Sequence, residues 1–137
     1  MKLVSSIFLC ALILFGCCNN VAVVQHEGLS RTYINLNFVK SSNDYESIRE
    51  VGGEHADVYY FMLPKDSVYE LSISSIGGSA SAYLERNEEI LWSTSGNTSV
   101  EQRHRIIGIE LWRLTLQVVA HPVDTYTLRI FKVKNGS

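Results

Sequence analysis

Val68-Tyr69-Glu70-Leu71-Ser72-Ile73-Ser74-Ser75-Ile76 places Tyr69, Leu71 and Ile73 on one face of an extended chain and Glu70, Ser72 and Ser74 on the other. Strict period-two alternation marks a half-buried strand, because successive side chains point to opposite sides of a sheet. Turn chemistry bounds the stretch on both sides. Pro64-Lys65-Asp66-Ser67 precedes it, with proline preset for its place in a bend. Gly77-Gly78-Ser79 follows, and its freedom at positive φ suits a hairpin into Ala80–Glu85.

The same pattern extends both ways. Thr32–Lys40 sets Ile34, Leu36 and Phe38 against Asn35 and Asn37, and Ser41-Ser42-Asn43-Asp44 then reads as a turn. Ala56–Leu63 carries Val58, Tyr60 and Met62 opposite Tyr59, Phe61 and Leu63, apolar on both faces. That suits a central strand covered on both sides, or an exposed aromatic row. Downstream, Ala80, Ala82 and Leu84 oppose Tyr83, and Ile90 and Trp92 share a face. Val100–Ile107 is a further strand. Ile109–Ala120 aligns Trp112, Leu114, Leu116, Val118 and Ala120, which predicts a core position for Trp112. His121-Pro122-Val123-Asp124 breaks the ladder before Tyr126, Leu128 and Ile130. In Tyr45–Gly53 the three-residue recurrence of Tyr45, Ile48 and Val51 fits either a helical turn or two or a short strand. About eight strands at roughly ten-residue spacing predict an all-β class, a single small antiparallel β-sandwich or jelly roll over residues 30–137.

Before that domain, Lys2 and the apolar run Leu3–Phe15 have the make-up of a secretory signal. The run falls short of the roughly 20 apolar residues that span a bilayer. It ends in Leu14-Phe15-Gly16-Cys17, which resembles a bacterial lipoprotein signal, although Phe15 is unusual at its place. The resemblance implies a signal peptide over 1–16 and lipidation at Cys17 with palmitate among the acyl chains. Val21–Leu29 is short, has one glycine and no clear period, so 17–29 reads as the lipidated cysteine and a tether, with room for a little strand pairing. Lacking aspartate at position 18, the chain also resembles lipoproteins sent to the outer membrane. The three cysteines, Cys10, Cys17 and Cys18, all lie in or beside this segment, so the domain has no disulfide, Cys-based zinc site or thiol nucleophile.

Tyr59-Tyr60-Phe61, a turn, Tyr69-Glu70-Leu71-Ser72-Ile73, then Gly78-Ser79-Ala80-Ser81-Ala82-Tyr83-Leu84 and finally Asp124-Thr125-Tyr126-Thr127-Leu128-Arg129-Ile130 form an order that resembles the bacterial pre-peptidase C-terminal domain. That family is a jelly-roll-like β-sandwich appended to secreted enzymes. The likeness covers residues 56–133 and implies fold more than function. An acidic residue common in the family's loop is replaced here by Ser79-Ala80-Ser81, so no calcium site is carried over.

Chemistry-bearing motifs are sparse. The formal charge of −2 is spread along the chain, and Arg103-His104-Arg105 is the densest basic spot, which excludes nucleic acid as a partner. His26, His55, His104 and His121 lack ligand-like spacing, and neither a Gly-x-Ser-x-Gly elbow nor a phosphate-cradling glycine loop occurs. Glu54-His55-Ala56-Asp57 is the one local titratable cluster; neighbours on an extended chain diverge, so it reads as a solvated loop before a strand. Asn97-Thr98-Ser99 and Asn135-Gly136-Ser137 match the glycosylation sequon, meaningful only in a eukaryotic secretory host. No enzyme, metal or cofactor is expected.

What remains is aromatic. Tyr59 and Phe61, if exposed, together with Tyr83 and Trp92 near turns, are the candidate binding surface. Packing beneath Tyr45–Gly53 is the alternative for the first two. A compact β domain on a lipid tether has the layout of pilotins, accessory lipoproteins that serve secretins in secretion and pilus systems. The expected function is therefore a lipid-anchored outer-membrane accessory factor that holds an envelope protein partner, a secretin or other assembly component. A cell-surface module binding glycan or protein, or a secreted binding protein, is the alternative.

Overall fold

A computed structural model describes residues 20–26, 29–39, 44–109 and 112–134. The predicted signal, Cys17, residues 41–43 of the Ser41–Asp44 turn and the second sequon lie outside them. Ten strands follow one another among the described residues: β1 (Asn20–His26), β2 (Leu29–Asn37), β3 (Tyr45–Val51), β4 (His55–Met62), β5 (Val68–Ser75), β6 (Ala80–Arg86), β7 (Glu89–Ser93), β8 (Gln102–Ile107), β9 (Leu114–Ala120) and β10 (Asp124–Lys132). They form a six-stranded sheet in the order β1-β2-β4-β9-β6-β7 and a four-stranded sheet in the order β3-β10-β5-β8. The all-β sandwich is as the alternation predicts.

The core lies between the sheets and is built from the inward positions of each strand. Ile34, Leu36 and Phe38, then Tyr59, Phe61 and Leu63, Tyr69, Leu71 and Ile73, and Leu114, Leu116 and Val118 are all buried there. Phe38 sets its edge against Phe61 at 5.8 Å and tilts over Tyr69 at 5.2 Å. Removing such surfaces from water stabilises the fold by roughly 25 cal/mol per Å².

Several local expectations change. Residues 20–26 lie in the stretch read as a tether with a little strand pairing, and the pairing is extensive: they run antiparallel with β2 from Asn20↔Asn35 to His26↔Leu29. The tether lacks a clear period because an edge strand is held by backbone hydrogen bonds, which side-chain patterning does not report. The ambiguous Tyr45–Gly53 segment is strand through Val51 and pairs with β10. Gly77-Gly78-Ser79 is no hairpin: β5 and β6 belong to opposite sheets, so the loop arches across the sandwich. β2 and β4 are parallel, with β3 in the other sheet as their crossover, a departure from the antiparallel expectation. Trp112 is not core. β9 begins only at Leu114, so the alternation counted from Trp112 does not apply, and its ring sits exposed beneath the Arg86 guanidinium at 4.1 Å.

Candidate functional site

The inner and outer faces of the six-stranded sheet use alternate residues of the same strands, which decides where each candidate goes. Tyr59 and Phe61 point inward and are fully buried, so they form no binding surface. Tyr59 packs against Tyr45 at 6.0 Å, beneath the Tyr45–Val51 strand. Tyr83 points outward from β6 and is partly exposed. Trp92, one strand further, faces the sandwich interior and stacks on His104 of β8, with centroids 5.3 Å apart and planes 11° apart. The four candidates therefore do not converge.

A different aromatic set does. On the outer face, Tyr33 of β2 stacks with Tyr60 of β4 at 5.8 Å, the planes within 6°. From the β9 side, the Arg113 guanidinium lies over Tyr60 at 4.2 Å. A ladder of Tyr33, Tyr60 and Arg113 thus runs across three strands, a cation–π contact closing one end. It floors an open cleft of about 410 Å³ that is also lined by Arg31, Val58, Glu85, Asn87, Glu88, Thr115 and Gln117. The acidic wall comes from the β6–β7 turn, where Asn87 and Glu88 both take positive φ (48° and 66°). A two-residue connection with that geometry matches the twist of the flanking strands, and it normally favours glycine. The sequence signal for this site is the second face of Ala56–Leu63. Tyr60 belongs to the row opposite Tyr59, and an aromatic residue facing away from the core is the one left to meet a partner.

The Glu54–Asp57 cluster also departs from its solvated reading. His55 and Asp57 are two residues apart, so they share a face, and that face is inward. Asp57 is fully buried and accepts from Arg49 Nε at 2.8 Å, Arg49 Nη2 at 3.2 Å and the Tyr126 hydroxyl at 2.5 Å. His55 Nε2 lies 3.2 Å from Asp57 Oδ1 and 3.1 Å from Thr32 Oγ1, while Nδ1 meets the Ser30 hydroxyl. Tyr126 continues to Tyr59 at 2.5 Å, and Tyr59 to Ser47 at 3.3 Å. Hydrogen bonding to Asp57 raises the Arg49 pKa against its burial, and burial drives the Tyr59 and Tyr126 hydroxyls well above their usual range. A serine, a histidine and an aspartate meet here in the order a nucleophilic triad uses. Arg49 pairs with Asp57 directly, however, so the carboxylate is shared between the guanidinium and His55 Nε2. The arrangement is a buried hydrogen-bond knot. Among the described residues, no group of three or more His, Cys, Asp or Glu side chains is placed to hold a metal ion.

No protein-family model matches the chain, and no curated protein does. Solved structures resemble it in fold. The pre-peptidase C-terminal domain of a collagenase from Bacillus anthracis superposes with a TM-score of 0.54 at 15% identity, covering 77% of this chain and 99% of that one. PliG from Aeromonas hydrophila, a periplasmic inhibitor of g-type lysozyme, gives a TM-score of 0.54 at 11% identity, with 75% and 97% covered. At these identities the likeness shows a shared β-sandwich.

Proposed function

We propose that this chain is a non-catalytic binding module of the bacterial cell envelope, anchored by lipid on Cys17, which takes a protein partner on the outer face of its six-stranded sheet. The carrying observation is the Tyr33–Tyr60–Arg113 ladder facing the Glu85, Asn87 and Glu88 wall across the cleft. Tyrosine and arginine are the residues that anchor protein interfaces, and charges of both signs around them supply the polar rim. A sugar site needs an open ring face for stacking. Here Tyr60 is covered by Tyr33 from one neighbouring strand and by Arg113 from the other, which favours protein over glycan. The A. hydrophila neighbour is named as a periplasmic protein that inhibits another protein, and a lysozyme is accordingly one partner to assay, beside the secretin that the pilotin-like layout suggests.

A photo-crosslinking residue at Tyr83, on the same face beside the cleft, tests the reading in the native envelope. The expected result is one protein adduct that falls at least about tenfold when Arg113 and Tyr60 are both replaced by alanine, as the loss of two interface anchors implies. Adducts only with glycan, or a protein adduct indifferent to that double change, overturn it.

A further inference from the structure

Strand β1 begins at Asn20, so Cys18 and Asn19 alone separate it from Cys17. An extended chain of that length reaches about 10 Å from Cys17 to Asn20. Whatever holds Cys17 therefore holds one end of the sandwich. The register identifies that end. Asn20 pairs with Asn35, which lies beside Tyr60, Thr115 and Glu85 in turn, and the strands run on from this row to the β4–β5 and β8–β9 loops. Those loops are joined: Asp66 N donates to Gly108 O, and Gly108 N to Ser67 O.

This end exposes apolar side chains in quantity. Ile107 is 66% accessible, Val39 61%, Ile109 44%, Met62 42% and Trp112 41%. Ile107, Ile109 and Trp112 converge with Arg86 around one small apolar hollow. A tryptophan beside a guanidinium, amid aliphatic residues, suits the boundary between headgroups and acyl chains, where an amphipathic ring meets both media. Lys65, Arg86, Arg113, Lys132 and Lys134 also lie at this end, and Asp44, Asp66, Glu88 and Glu89 offset most of their charge. The far end exposes Ile76, Val100 and Val123 as well. The entry point of the chain selects between the two ends.

We infer that the end carrying Val39, Met62, Ile107, Ile109 and Trp112 rests directly on the lipid surface, so that the domain sits upright and the cleft opens sideways just above the headgroups. The inference deepens the proposed function and rests on the lipid anchor at Cys17.

The test uses the full-length protein, purified from membranes and reconstituted in vesicles of phosphatidylethanolamine and phosphatidylglycerol carrying brominated acyl chains. Trp112, isolated by Trp92→Phe, is expected to lose most of its emission, whereas Trp92, isolated by Trp112→Phe, is expected to keep it. If Trp92→Phe impairs folding, the quenchable part of wild-type emission must vanish in Trp112→Phe. Intact mass and flotation of the same samples report the anchor independently. An acylated, floating protein with unquenched Trp112 overturns the orientation alone. An unacylated protein left in the aqueous fraction overturns the anchor and the orientation together.

Discussion

The sandwich has two open sides, and opposite chemistry closes them. Where β3 meets β4, the side is sealed by the Asp57 knot, with Arg49, His55, Thr32 and Tyr126 around a carboxylate that has no access to water. Where β7 meets β8, it is sealed by the stacked rings of Trp92 and His104 over Leu91 and Ile106. A charged closure is satisfied only if every partner is present, because a buried ion left alone costs far more than the pair contributes. An aromatic closure loses contact area in proportion to what is removed. The first side is built for fixed geometry and the second for tolerance.

Arg49→Leu is the severest way to break that contrast. It leaves Asp57 buried without its counter-ion, and the expected loss is about 3–5 kcal/mol in urea denaturation. Arg49→Leu with Asp57→Leu is expected to recover much of it. Failure to recover would mean that the knot matters for its individual hydrogen bonds rather than its charge.

Asp124, at the sheet-to-sheet arch, applies the knot's chemistry without a cation. Its carboxylate accepts from the backbone N–H groups of Gly77, Ser79 and Thr125 and from the Ser79 hydroxyl. Burial pushes its pKa up, but the hydrogen bonds from Gly77 and Ser79 outweigh this and hold it well below the usual carboxylate range. Asp124→Ala is expected to cost roughly 2–3 kcal/mol, the scale for losing hydrogen bonds to a charged group. Since the folded pKa is depressed, Asp124 contributes stability that is present above its unfolded value near pH 3.9 and lost as pH falls through the folded one. Acid denaturation of Asp124→Asn should lack that part of the slope.

The smallest effect belongs to the aromatic side. Trp92→Leu is expected to cost about 1 kcal/mol, the scale of one ring pair. His104 has its pKa lowered by burial, so the folded state disfavours the charged ring. Its contribution is present above the unfolded value near pH 6.5 and is lost as pH falls through the folded one. His104→Phe should flatten stability across that interval while leaving the acid limb of Asp124 in place. A variant that keeps the slope assigns it to another group.

How far the chain discloses this differs between strand interiors and their surroundings. Inward residues such as Leu71, Leu116 and Leu128 are legible because alternation is a local property of side chains. Pairing is not local. Val21–Leu29 admits a little strand pairing but does not say that its backbone will dock on β2, and Gly77-Gly78 serves a hairpin or an arch equally well. The proposed binding face is half legible. The aromatic excess in Ala56–Leu63 is visible, but which row faces out depends on where the second sheet lies, and that choice moves the candidate surface from Tyr59 and Phe61 to Tyr60 and Tyr33. The knot was hidden for a related reason: its members come from β2, β3, β4 and β10, which only the finished fold brings together.

One strand changes how the domain would bear force if it is anchored as proposed. Under the proposed function, with lipid on Cys17 and a partner on the outer face, any tension between the two would enter at Asn20 and run along β1. That strand lies antiparallel to β2 over seven consecutive residue pairs. A pull along the strand axis strains all of those cross-strand bonds together, in shear, instead of peeling them apart one after another. The segment read as a tether would then be the rivet of the joint, and the load would pass through β2 into the parallel β2–β4 pair and the centre of the sheet.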